Sequence, residues 1–168
     1  MDLRTLKAEF AVEFIDLEKA AQVDEAAWEP FQRGMMLWRS DRDETYALLF
    51  ASGSDLTRGS VIEGGDAWRW DNSFPNGRGL TPPAGFFEPV RGFGFVWFDY
   101  LGGPASPLGW ATQPEQGICM TRQTFEAGVM MRSSTVHQCQ DNLMNMATSS
   151  SFTPLFLTIG QNGQWQRH

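Results

Sequence analysis

His137 and Cys139, two residues apart in a polar stretch, are the only neighbourhood where a nucleophile and a base stand together. Covalent attack by a thiol needs a base and a further group that orients the base. No orienting or activating residue accompanies this pair, so it predicts no catalytic residue. Asp66, Asp71, Glu88, Asp99 and Glu115 are available as carboxylates. Glycosidic cleavage requires two of them at a fixed separation across a sugar, and their spacing singles out no pair. They read as surface charge. Gly92-Phe93-Gly94 lacks the Lys-Ser/Thr ending of a phosphate loop. The Asp41–Asp43 turn lacks the glycine and closing glutamate of a calcium loop. Cys119 and Cys139, with His137 and His168, do not make the four-ligand spacing of structural zinc. The cysteines read as free thiols, or as one disulfide in an exported protein. The expectation is therefore no enzyme, no metal and no cofactor, with a hydrolase as the remote alternative.

Binding chemistry has better material. Tryptophan and tyrosine offer a flat apolar face with a polar edge, which suits stacking on sugar rings. Trp68, Trp70, Trp97, Tyr100 and Trp110 lie in or beside turn-rich segments. Many of the tryptophans must fill the core, and Trp38, in a Met-Met-Leu-Trp run, is expected there. Trp110 sits in a turn, where function concentrates. Trp110 and Tyr100 are thus the first candidates for stacking, with Arg91 and Glu115 as polar neighbours. The competing reading is a structural or assembly subunit that docks a protein partner. Met35, Met36, Met130, Met131, Met144 and Met146 would give it an adaptable apolar interface, although a core role is favoured for them.

These residues need a folded frame. A chain of 168 residues with 42% hydrophobic residues, seven Trp and thirteen Phe can bury a core as a single domain. Lysine occurs only as Lys7 and Lys19, and the net charge is −7. Phosphate-backbone binding needs a basic surface, so no nucleic acid partner is expected. No apolar run approaches the ~20 residues that cross a bilayer as a helix, so no membrane insertion is expected. The first residues carry acidic groups where a signal peptide would be basic, which leaves a cytoplasmic place open.

In chain order, residues 1–22 mix helical and strand spacing. Pro30 stops any helix begun at Asp24–Trp28. Met35–Arg39, a polar Ser40–Asp43 turn and Thr45–Phe50 predict a β-hairpin. Residues 51–65 predict a loop with a short strand at Val61-Ile62, and Ala67–Trp70 a short strand. The Gly/Pro-rich residues 71–85 predict a long surface loop or a hinge. The most helical piece is Phe93–Tyr100, stopped by Gly102-Gly103-Pro104. Residues 132–153 are a polar insertion. Asn162-Gly163 predicts a two-residue hairpin that pairs residues 154–160 with 164–167.

An internal repeat links these pieces. Phe31-x-x-Gly34-Met35-Met36 matches Phe125-x-x-Gly128-Val129-Met130, and each is followed by an apolar run and then a Gly before Trp, at Trp68 and Trp165. The predicted units span about residues 28–72 and 93–168, joined by the 71–85 linker. Neither buries its apolar face alone, so the two stack. The expected fold is mainly β: antiparallel blade- or sandwich-like sheets with one or two short helices.

The order Tyr100-Leu101-Gly102-Gly103, Leu108-Gly109, Thr112, Glu115, Phe125 and Gly128 resembles the LGFP repeat of bacterial cell-envelope proteins. That family usually carries proline where Ala111 stands. Arg91–Gly94, Leu108–Thr112 and Trp165–Arg167 are also similar to turns in the C-terminal parts of envelope proteins. The resemblance implies an extracytoplasmic, non-enzymatic module, with cell-wall glycan or a protein as partner.

Overall fold

The structure is a computed structural model that describes residues 22–134, 139 and 155–168. It contains β1 (Gln22–Phe31), β2 (Gly34–Arg39), β3 (Glu44–Ser52), β4 (Asp55–Glu63), helix α1 (Arg91–Asp99), β5 (Gln116–Phe125), β6 (Gly128–Ser134), β7 (Phe156–Gly160) and β8 (Gln164–Arg167). Short 3-10 turns lie at Gly65–Trp68 and Gly103–Ala105. The eight strands close into one antiparallel barrel in the order β1-β2-β3-β4-β8-β7-β6-β5.

Two four-stranded meanders, β1–β4 and β5–β8, make this barrel. They meet along β1–β5 and β4–β8, both antiparallel. The mainly antiparallel β expectation holds. The sheets expected as blades or a sandwich join edge to edge instead, because each meander's outer strands find partners in the other. The two Phe-x-x-Gly segments both form tight hairpins with Phe opposite Gly, Phe31 against Gly34 and Phe125 against Gly128. The glycines share one cause, and Gly128, with φ of +154°, has its backbone conformation as a second. A Cβ at Gly34 would collide with the Leu48 carbonyl oxygen on β3, and one at Gly128 with the Ile159 carbonyl oxygen on β7.

Alternation sorts the side chains. Ala26, Met35, Leu37, Tyr46, Leu48, Ile118, Met120, Met131, Leu157 and Trp165 point inward and fill the barrel. At the mouth near Arg39 the filling turns polar. The Arg39 guanidinium, itself buried, grips Asp41 with two bonds (2.8 and 2.7 Å) and donates to the Tyr46 hydroxyl. Arg122 bridges Asp24 (2.7 Å) and Asp41 (3.0 Å). Burial works against the Asp41 carboxylate, but these two arginines hold it below the usual range.

The alternate residues of the first meander, Ala27, Phe31, Met36 and Ala47, point outward and are buried too. Topology requires this. β4 ends at the mouth where β1 begins, whereas β5 starts at the opposite mouth. Residues 64–115 must therefore travel the length of the barrel, and they do so across the outer face of β1–β3. We call this segment the crossover. It buries Trp68, Phe93, Val96, Trp97, Leu108 and Ala111 against that face. β2 and β3 consequently read as unbroken apolar runs, as strands covered on both faces do.

Several local expectations change. The segment at 51–65 is not a loop with a short strand: β3 runs to Ser52 and β4 covers Asp55–Glu63. Trp68 closes a 3-10 turn rather than standing in a strand, and Trp165 lies in β8, so the two Gly-before-Trp segments are not equivalent. The strands of the two units begin at Gln22 and Gln116, and residues 71–85, which hold no strand or helix and are mostly exposed, form a surface loop within the crossover. Residues 1–21, His137, Met144, Met146 and most of the 132–153 insertion lie outside the described residues. Cys119 and Cys139 form a disulfide with Cα atoms 5.3 Å apart.

Candidate functional site

The crossover docks on the β1–β2 turn through its 106–112 segment. The Gln32 amide donates to the Trp110 carbonyl, and the Gln32 side-chain oxygen accepts from the Trp110 amide. Arg33 donates through its backbone to Leu108 and through its guanidinium to the carbonyls of Pro107 and Ser106. Thr112 donates its amide to Pro30, and Phe87 donates its amide to Ala111. Phe31, Ala111 and Phe87 thus form a short row across three chain segments.

Helix α1 starts beside this row. Arg91, its first residue, has φ of +49°, a left-handed conformation that costs a non-glycine residue about 1–2 kcal/mol. Its guanidinium donates to the Glu115 carboxylate at 2.9 Å. Beneath lies Glu29, on the outer face of β1 between Ala27 and Phe31. It is 1% exposed, and one carboxyl oxygen has no hydrogen-bond partner. The β1–β5 ladder pairs Trp28 with Gln116; one more step in that register sets Glu115 opposite Glu29. Burial, and then the facing Glu115 charge, push the Glu29 carboxyl up to about 8, against a smaller opposing pull from Arg91. Burial also raises Glu115, with Arg91 opposing. Glu29 thus holds its proton well above the ordinary carboxyl range, under an ion pair at the surface.

The four residues singled out in the sequence do not share one place. Arg91 and Glu115 are joined. Tyr100 lies at the other end of α1, about 13 Å along a nine-residue helix, where its ring packs against Trp68 and Phe95. Tyr100 is 47% exposed. Trp110 is half-buried, its ring 5.2 Å from that of Trp97, whose indole donates to the Gly109 carbonyl. Trp38, expected in the core, is only part-buried against its edge and donates to Asp43. Met35, Met36, Met130 and Met131 are buried.

The remaining carboxylates have structural partners. Asp66 pairs with Arg69. Asp71 accepts from the Ser73 amide. Glu88 ties down the loop by accepting from the amides of Arg78 and Leu80. Asp99 pairs with Arg78, whose guanidinium lies over both the Phe74 and Phe98 rings. Glu29 and Phe87 were not singled out in the sequence. The repeat carried the signal for the first, since Glu29 stands where the second unit has Gln123. No protein-family model, curated protein or solved structure matches this chain.

Proposed function

We propose that this chain is a non-enzymatic, envelope-associated binding module, and that the outer surface of its crossover meets a glycan or cell-wall polymer. The observation that carries the reading is where apolar surface is spent. The barrel lumen is filled by side chains. Of the five most exposed large apolar side chains among the described residues, Phe74, Leu80, Phe87 and Tyr100 lie on the crossover. A filled barrel acts as a scaffold, and the crossover is what it presents. Tyr100 supplies a stacking face, while Arg91 and Glu115 supply hydrogen-bonding groups near the exposed Phe87. The disulfide favours an oxidising compartment, in keeping with the LGFP resemblance.

Retention on insoluble cell wall, backed by a glycan array, tests the reading. Tyr100→Ala and Arg91→Ala should each reduce retention while the fold is kept. If the wild-type chain binds no glycan on either platform, this reading falls. A second reading, docking of a protein partner, draws on Leu80, Phe74 and Phe87, which have no polar edge for a sugar and suit an apolar protein contact. Light scattering after size-exclusion chromatography, alone and with candidate partners, tests that one.

A further inference from the structure

Glu29, Glu115 and Arg91 make an unbalanced set: two carboxyl groups at the end of the β1–β5 ladder stand near enough for one charge to act on the other, and one guanidinium serves them. The groups around Glu29 come from three elements. Met36, opposite on β2, is apolar. Glu115 comes from the lead into β5, and Arg91 from the start of α1. Only Glu115 holds the arginine, at 2.9 Å. A neutral Glu29 leaves that pair complete. An ionised Glu29 would be a buried charge with one oxygen lacking any bond, beside a second carboxylate. Water is the cheapest remedy, and it can reach Glu29 only if the covering segment lifts.

We propose that Glu29 and the Arg91–Glu115 pair form a proton-controlled latch: it holds this end of the crossover on the barrel while Glu29 is neutral and releases it when Glu29 ionises. The hinged part is local: Gln32 and Arg33 anchor residues 106–110, and beyond that anchor the segment is held by Phe87 to Ala111, by the amide and hydroxyl of Thr112 to Pro30, and by the ion pair. Arg91 is primed to move, since its left-handed backbone is relieved when the helix start lets go. The closed form holds its proton up to about pH 8, whereas an open, solvated Glu29 has the ordinary value near 4.5. Between those limits opening releases a proton, so the opening constant rises up to tenfold per pH unit; above pH 8 it levels off.

Native-state amide exchange reads this directly. Below pH 8, the Phe87 and Thr112 amides should gain up to tenfold per unit beyond the ordinary base-catalysed increase. They should also exchange faster than the Leu48 amide at the centre of β3. In Glu29→Gln the extra slope should vanish. The proposal is overturned if the variant keeps the slope, or if Phe87 and Thr112 exchange only as slowly as Leu48, which would tie the proton to global unfolding. Should Glu29→Gln not fold, carbon-13 NMR of the wild-type Glu29 carboxyl decides. Titration near 8 supports the latch, and titration near 4.5 ends it.

Discussion

Gln123 precedes Phe125 by two positions, as Glu29 precedes Phe31, and each is buried on the outside of its meander with one side-chain oxygen lacking a partner. A neutral carboxamide and a neutral carboxyl have nearly the same shape. The first meander therefore carries, at the place of a glutamine, a group that can mimic one only while it holds a proton.

Overall stability should follow that proton. The folded pKa of Glu29 is raised, so between pH 4.5 and about 8 the folded chain binds a proton that the unfolded chain does not. The contribution of Glu29 to stability is then most favourable below pH 4.5, falls as pH rises to 8, and is flat beyond. Glu29→Gln should flatten this fall, so that the variant gains stability relative to wild type as pH rises from 5 to 8. Urea unfolding midpoints at pH 5 and pH 8 give the comparison; parallel pH profiles for both proteins would refute it.

Gly34→Ala and Gly128→Ala should each cost about 2 kcal/mol or more, because the added methyl meets a carbonyl oxygen of the third strand. Gly53→Ala and Gly117→Ala, where a Cβ meets nothing within 4 Å, should stay within about 0.5 kcal/mol. Thermal melts of the four variants rank them. Equal losses across the set would remove close approach as the reason for the Phe-x-x-Gly pattern.

Tyr100→Ala and Trp110→Ala should separate binding from folding. The exposed Tyr100 ring should be removable for about 1 kcal/mol or less. Loss of the half-buried Trp110, packed on Trp97, should cost about 2 kcal/mol. If Trp110→Ala instead leaves the melting temperature unchanged and abolishes glycan retention, Trp110 belongs to the binding surface.

The Cys119–Cys139 bridge closes a loop across 20 positions. Replacing both cysteines with alanine should destabilise the protein by about 3 kcal/mol. Mass spectrometry with and without reductant checks the bond, and denaturant curves check its worth. Two free thiols in protein purified from an oxidising compartment would rule the bridge out.

Much of this was legible in local pattern. The β2–β3 hairpin, the Asn162-Gly163 turn and the α1 helix follow from spacing and turn chemistry. β4 escaped because Leu56, Arg58 and Ser60 face solvent, so Asp55–Glu63 lacks an apolar stripe until Ile62 meets the crossover. β1 escaped because Pro30 and three acidic residues disguise it. Barrel closure depends on pairing between Ala26 and Ile118 or Gly59 and Trp165, partners that no local window contains. The Arg91–Glu115 pair was half visible, as two polar residues of one surface. Its hidden member, Glu29, becomes visible only when register brings β1 beside β5.

That long-range closure also bears on how the chain is made. A ribosome delivers β1–β4 well before β5–β8. Until the second meander emerges, both lateral edges of the first expose unpaired backbone groups, even though the crossover helix, made before β5, is already at hand to cover its outer face. Pairings between strands so far apart in sequence form slowly. The newborn first half is therefore the species most exposed to wrong partners, including the same half of a neighbouring chain, and expression yield should respond more to whatever shields it than to the stability of the finished barrel.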